Sequence, residues 1–395
     1  MAKVLFLAHR IPFPPDKGDK IRAFHILRHL AGRHEVWLGA AADDPADLRH
    51  LPEVEALCAG ACVAPISKPR QLANMALGLA RGAPLSVARF RHPRLGRWID
   101  RVLREVRPDL VFVYSSALSQ YVVGRLAPQV RLVVDFVDAD AEKWRAYAED
   151  AKGPMRWIYA REARLLTRFD QAVLERADVG LLISETERRL MARFAPDGAA
   201  KLQVMANGVD TDFFAASPPH DGHDLVLCGR MDYLPNIEGA SWFAREVLPK
   251  VRQACPEARF RIVGAAPTPA VTALGRLPGV EVVGGVPDVR PYLAQAAAVV
   301  APLRIARGIQ NKVLEGMAAA RPVIATPQAL DGIAAEVGRQ VLTASDADGF
   351  AEAVCAVLQK RAPETLGRNA REFVVGQHGW AAQFQTLDAA LADQG

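Results

Sequence analysis

Cysteine is sparse in this 395-residue sequence: five residues, Cys58, Cys62, Cys228, Cys255 and Cys355. Only Cys58 and Cys62 are close, and neither a second pair nor a histidine cluster joins them. No metal site is expected; buried free thiols in a reducing cytoplasm are. No run of 18 or more apolar residues occurs, so no membrane-spanning helix is expected. The opening MAKVLFLAHRIPFP carries too short an apolar run, broken by His, Arg and Pro, to be a signal peptide, and reads as a buried first strand. A cytoplasmic protein follows as the expectation. No G-x-G-x-x-G comes after that strand, which counts against a nicotinamide or flavin enzyme. No RNP-like strand, zinc finger or other nucleic-acid module is recognisable, so no nucleic-acid partner is expected. Short-period repeats and low-complexity segments are missing too.

What is there alternates. Short apolar runs, from KVLFLA (3–8) to QVLTA (340–344), are separated by amphipathic stretches, seven such runs before residue 207 and six after it. Alternation of this kind indicates parallel sheets with crossover helices. Occurring twice in a chain too long for one core, it predicts an α/β protein of two doubly wound, Rossmann-like domains. The segment 207–224, NGVDTDFFAASPPHDGHD, is rich in Gly, Pro, Asp and Ser and reads as the linker. The domains expected are 1–206 and 207–377, with a final helix over 380–394 after the break VGQHG.

Charge is uneven. The chain carries a net +5, yet residues 68–107 hold ten Lys/Arg against Asp100 and Glu105 alone. Mixed with Leu, Met and Trp, this stretch suits an anionic membrane surface, or is a plain solvated basic face.

Four places stand out as candidate sites. GIQNKVLEGMAAARPVIATP (308–327) reads as a helix running into a strand. At roughly 100° per residue, Gly308, Asn311, Lys312 and Glu315 share one arc, while Val313, Leu314, Met317 and Ala318 occupy the rest. That polar arc is either a solvated face with a Lys–Glu pair or a binding face. Gly18 sits where a proline-rich loop enters the first helix, a place for an anion or merely for a turn. The fifth strand ends in DFVDADAEKW, where Asp138 and Asp140 form a D-x-D. Asp140 reads as a helix cap, and Asp138 is the better functional candidate. The second domain opens with CGRMDYLPNIEG, putting Gly229 and Arg230 at the carboxyl edge of a strand, where a guanidinium can clamp a diphosphate.

NGVDTDFF, CGRMDYLPN and GIQNKVLEGMAAARPVIATP, in this order, resemble the GT-B glycosyltransferases of family 4 over nearly the whole chain. With HRIPFPPDKGDKIR and DFVD they are most similar to the bacterial exopolysaccharide glycosyltransferases associated with exosortase (PEP-CTERM) systems. The resemblance implies two domains facing a cleft, with the last helix (378–395) returning to the first domain. It implies a nucleotide-diphosphate sugar donor, UDP- or GDP-linked, and a retaining transfer without metal or other cofactor. Glu315 matches the second Glu of an E-x7-E motif and would hold the ribose. Arg307 stands where the first Glu belongs, so Gly308, Ile309, Gln310 and Asn311 would position the sugar instead. Arg230 and Lys312 would neutralise the diphosphate beside Gly229, with the Gly18 loop approaching from the first domain. His9, Asp19 and Asp138 would touch the acceptor or the reacting sugar. The acceptor implied is a glycan, lipid-linked at the inner membrane face and met through 68–107. The alternatives are a nucleotide-sugar 2-epimerase of the same fold and a non-catalytic scaffold for polysaccharide assembly.

Overall fold

The computed structural model describes residues 1–15, 18–216, 218, 222–306 and 308–392. Arg307, the middle of the 207–224 segment and the last three residues of the chain lie outside the described residues. The chain divides into two compact units, Met1–Ala206 with Phe384–Gly395, and Asn207–Gln383.

The first unit holds β1 (Lys3–Ala8), β2 (Glu35–Ala42), β3 (Gly60–Pro65), β4 (Leu110–Tyr114), β5 (Arg131–Val137), β6 (Val179–Leu182) and β7 (Leu202–Val204). Their order is β3-β2-β1-β4-β5-β6-β7. The second holds β8 (Asp224–Cys228), β9 (Arg259–Val263), β10 (Val280–Gly284), β11 (Ala298–Ala301), β12 (Val323–Ala325) and β13 (Leu342–Thr343), ordered β10-β9-β8-β11-β12-β13. All pairings are parallel. Helices cover both faces, so the strands are continuous apolar runs; Val4 to Ala8 have no exposed surface. In each sheet the order reverses beside its first strand, which opens a crevice at the carboxyl ends of β1 and β4, and of β8 and β11.

The helices that bear on function are α1 (Gly18–Ala31), α2 (Lys68–Ala80), α3 (Pro93–Glu105), α4 (Asp140–Asp150), α5 (Pro154–Arg176), α6 (Leu234–Trp242), α7 (Asn311–Ala318) and α8 (Trp380–Leu391). The sequence put the return to the first domain at 378; the division falls inside α8, at Phe384. The reason is visible in the contacts. Phe384 stacks on His29 of α1 at 3.9 Å, Asp388 meets His29 Nε2 at 2.7 Å, and the Arg131 guanidinium donates to the Ala390 carbonyl at 2.9 Å. Upstream of it, Gly379 bridges Val209 within the second unit. No described helix is long and apolar enough to cross a membrane. The five cysteines are free thiols, four of them buried.

One buried ion pair ties α1 to the sheet. Arg22 Nε meets Asp135 Oδ2 at 2.7 Å and Nη2 meets Oδ1 at 3.2 Å, with both side chains out of water. Arg22 Nη1 also donates to the Ala206 carbonyl at 3.1 Å. Burial pushes the Asp135 carboxyl up, and the Arg22 charge and hydrogen bond work against that rise. Asp135 in turn accepts from the Val137 amide (3.1 Å), where φ is +69°, a left-handed conformation that a β-branched residue rarely takes. The Asp135 carbonyl accepts from Ser115, which has φ +73° at the end of β4. Two strained strand ends thus share one anchor. Arg22→Ala leaves that carboxylate buried without its partner and is expected to cost about 3–5 kcal/mol in a urea titration. A loss under 1 kcal/mol would show the pair to be dispensable.

Candidate functional site

In the second unit the site starts from two glycines. Gly229 follows β8 with φ +149°, and Gly264 follows β9 with φ +157°. A β-carbon on Gly264 would lie 1.7 Å from the Gly229 carbonyl oxygen, so the two backbones meet only because Gly264 lacks one. On its other side Gly229 abuts Asn236 of α6 and Lys312 of α7; a β-carbon there would lie 2.7 Å from Asn236 Nδ2 and 3.3 Å from Lys312 Cε. Asn236 is buried and donates to the Arg230 carbonyl at 2.7 Å, which closes the turn 229–236.

The sequence placed a helix start at Gly308; the helix begins at Asn311, with Gln310 as its cap residue. Gly308 has φ +68°, and its amide donates to Asp331 Oδ2 at 3.1 Å. Ile309 packs on Gly332, whose β-carbon would lie 3.0 Å from Ile309 Cγ1. Gln310 does not cap the helix amides. Its Nε2 donates to the Gly308 carbonyl at 3.0 Å, and its Oε1 accepts from Lys312 Nζ at 3.3 Å. The first-turn amides of Asn311 and Lys312 have no intrahelical acceptors.

The solvated-face reading of α7 is overturned. Val313, Leu314, Met317 and Ala318 have no exposed surface, as the wheel requires, but Lys312 and Gln310 are only 9% exposed and Glu315 is half-buried. The polar arc points into the protein, toward the end of β8. Burial lowers the Lys312 pKa to about 8 despite the opposing charge of Glu315. Burial also raises Glu315, with Lys312 opposing. Lys312 meets the neutral Gln310 oxygen and forms no ion pair with Glu315, so its charge is poorly compensated. Arg230 differs: its side chain is 48% exposed, and its Nε and Nη2 donate to the Asp232 carboxylate at 3.1 and 2.6 Å.

In the first unit His9 and Asp19 come together, with a partner the sequence reading missed. His9 stacks on Tyr114 at 5.6 Å and meets Phe90 edge-on, while its Nε2 lies 3.5 Å from Asp19 Oδ2. Arg10 donates to Asp19 at 2.7 Å and to Asp43, past the end of β2, at 3.0 Å. Burial works to raise Asp19, but the His9 hydrogen bond and the Arg10 charge outweigh it and hold the carboxyl well below its usual range. Arg10 stood in the quoted opening, but nothing in the sequence shows Asp43 beside it; only strand order does. Gly18 is exposed, and a β-carbon there would meet nothing within 4 Å.

Asp138 and Asp140 share one cation. Lys143 Nζ lies 2.7 Å from Asp138 Oδ2 and 2.8 Å from Asp140 Oδ1. Asp140 does not cap α4, contrary to expectation; it is the first helical residue, and the amide of the cap residue Ala139 goes to Glu187 Oε2 at 2.7 Å. No group of three His, Cys, Asp or Glu able to hold a metal occurs among the described residues.

The 68–107 region is partly what its composition suggests. α2 buries only Gly78, and exposes Leu72 (66%), Leu77 and Leu79 with Lys68, Arg70 and Arg81. Arg89 is no surface charge: it is half-buried, donates to Gln71 at 3.0 Å and stacks on Phe90 at 4.9 Å.

Comparison with known proteins adds the class. Over nearly its whole length the chain shares its fold with GT-B enzymes of known structure. These include sucrose-phosphate synthase from Thermosynechococcus elongatus (17% identity, 98% of each chain, TM-score 0.69). HepE from Anabaena in complex with UDP is similar at 17% identity, over 98% of this chain and 99% of that one, with TM-score 0.65. WaaG, a glycosyltransferase involved in lipopolysaccharide biosynthesis, is similar at 15%, over 99% of this chain and 100% of that one, with TM-score 0.61. A search of curated proteins by sequence finds no match. Two family models match in turn, Glycosyltransferase Family 4 over residues 20–213 and Glycosyl transferases group 1 over 222–360. The chain belongs to the family 4-type glycosyltransferases of the GT-B class and is an enzyme that transfers glycosyl groups.

A lysine buried at this cost is expected to destabilise the free protein. Its native pKa, about 8, lies below the ordinary 10.5. Between those values the unfolded chain binds a proton that the native one does not, so stability rises with pH through that window. Lys312→Met should therefore raise stability at pH 7 by about 1–3 kcal/mol, a gain that disappears by pH 10.5. Denaturant titrations at both pH values check this; equal stability of the two proteins at pH 7 would contradict the burial cost.

Proposed function

We propose that the enzyme transfers a sugar from a nucleotide-diphosphate sugar, UDP- or GDP-linked, to a glycan acceptor, and that the second unit holds the donor. The observation that carries this is Lys312: a buried, under-compensated ammonium beside Gly229 and the first-turn amides of α7. That is a receptor for a diphosphate. HepE, of the same fold, is described in complexes with UDP and with UDP-glucose, in keeping with such a donor.

As the bond from sugar to diphosphate breaks, charge grows on the leaving oxygens. Lys312 and the amides of Asn311 and Lys312 already face that place, so little reorganisation is needed. Arg230 joins them by exchanging Asp232 for the diphosphate. Glu315 accepts hydrogen bonds from the ribose hydroxyls. Gly308 to Asn311, braced by Asp331 and Gly332, position the sugar in place of the absent first Glu. Charge compensation by these groups makes a metal unnecessary, and the transfer retains anomeric configuration. His9, Asp19 and Asp138 lie at the carboxyl edge of the first sheet, which serves the acceptor. The acceptor is a lipid-linked glycan in exopolysaccharide synthesis of the exosortase-associated kind, and α2, with leucines beside Lys68, Arg70 and Arg81, rests on an anionic membrane.

Calorimetric titration with UDP-, GDP-, ADP- and TDP-sugars tests the donor site. One donor should bind, more weakly by about 1–3 kcal/mol in Glu315→Ala. Its affinity should fall between pH 7 and 9 as Lys312 loses its proton, a fall absent in Lys312→Met. Failure of every nucleotide sugar to bind would leave a scaffold; an altered sugar without any acceptor would indicate an epimerase. For the membrane contact, co-sedimentation with phosphatidylglycerol vesicles should weaken in Arg70→Glu/Leu72→Asp/Arg81→Glu. Unchanged sedimentation would remove α2 from the account.

A further inference from the structure

α4 and α5 pack against each other as a helical hairpin that begins two residues after Asp138. Between them lies a groove of about 500 Å³. Its room comes from small residues: Ala148, Ala160 and Ala163 line it where larger side chains would close it. Its walls carry four arginines, Arg145, Arg156, Arg164 and Arg168. On α5 the last three recur at intervals of four or eight and fall within an arc of about 120°, so one helix face presents them together. Arg145 is held by Glu142 and stacks on Phe194 at 5.4 Å. Arg156, Arg164 and Arg168 are exposed and have no carboxylate within ion-pair distance among the described residues, although Glu149 is in the same lining.

Three like charges brought together around a concave space, without counter-ions of their own, repel one another and create a strong local field for anions. Guanidinium groups bind phosphate oxygens in pairs, which fits a phosphate better than a single carboxylate. Next to Arg156 the hairpin exposes Trp157, at 61%, and Lys152 precedes α5. An exposed tryptophan next to a cluster of arginines is the pattern of a surface that meets lipid.

We propose that the α4–α5 groove is a binding site for the phosphate of an amphiphile, with the arginines on the phosphate and Trp157 in the apolar layer. The phosphate comes from a bilayer headgroup or from the diphosphate of an acceptor's lipid carrier. The second source rests on the acceptor proposed above; the anion site itself does not.

The test uses the whole protein and three vesicle types: phosphatidylcholine alone, with phosphatidylglycerol, and with a polyprenyl diphosphate at equal charge. Trp157 emission is expected to shift to the blue on one or both anionic vesicles and not on the neutral one, and the shift should vanish in Trp157→Phe. Arg156→Gln/Arg164→Gln/Arg168→Gln should weaken that response on the order of tenfold or more. Response to phosphatidylglycerol assigns the headgroup; response only to the polyprenyl diphosphate assigns the carrier. Nucleotide-sugar affinity, read by calorimetry on the same variant, should not change, which separates this site from the donor site. Two results would overturn the proposal: no Trp157 response to either anionic lipid, which needs no arginine variant, or an undiminished response in a folded triple variant. Binding of inorganic pyrophosphate without any vesicle response would likewise exclude an amphiphile.

Discussion

Parallel strands covered by helices on both faces leave little room for polar chemistry, so the chain gathers its free polar groups where strands end. Both sheets obey this constraint. In the first, apolar β1, β4 and β5 deliver His9, Ser115 and Asp138 to the carboxyl edge. In the second, β8 delivers Gly229 and Arg230, and α7 turns its polar start toward the same edge. Backbone there leaves the ladder abruptly. The positive φ angles at Ser115, Val137, Gly229 and Gly264 are the local signature, and the Arg22–Asp135 pair shows what holds such turns in the first unit. A buried ion pair of that kind is weak evidence for stability by itself. Its value here is geometric, since the same carboxylate receives the Val137 amide and sets the direction in which Asp138 leaves the sheet.

Most charged groups at these edges carry their own counter-charge. Asp19 is held by Arg10, Asp138 by Lys143, and Arg230 by Asp232. A ligand charge must displace one of these partners, so the net gain is small and the selectivity high. Lys312 is the exception. Its neighbour Gln310 supplies a dipole and no charge, and the charge of Glu315 does not offset the cost of its burial. A buried ammonium with so little compensation gains most from an incoming diphosphate, which makes it the electrostatic centre of the donor reading. The arginines between α4 and α5 are a second exception, at the surface, where the cost of like charges is reduced by water until a ligand arrives.

The fold was legible because its signal is periodic and redundant. Thirteen apolar runs of strand length could only be parallel strands in two layers, and all thirteen occur. Their ends were less legible: the run 321–326 shrank to Val323–Ala325, after Pro322, which has no amide to donate, and a buried Arg321. The α7 wheel correctly separated Val313, Leu314, Met317 and Ala318 from Lys312 and Glu315, but a wheel shows which residues share a face, never what covers that face. Hence the polar arc could be read as solvated when its lysine is buried. Asp140 failed as a cap because the helix starts one residue earlier than its pattern implied: Asp140 lies inside the first turn, and its carboxylate goes to Lys143.

The sequence alone determined the class of fold and the residue types at each strand end, because burial on two faces demands uninterrupted apolar runs and close backbone approach demands glycine. Which charges meet was decided only by the tertiary structure. Arg10 joins Asp43 through strand order, Lys312 reaches Gly229 through the packing of α7 on the sheet, and the α4–α5 arginines share a groove because alanines face one another across it. Electrostatic energy depends on distance and on exclusion of water, and neither is a property of neighbouring positions in a chain.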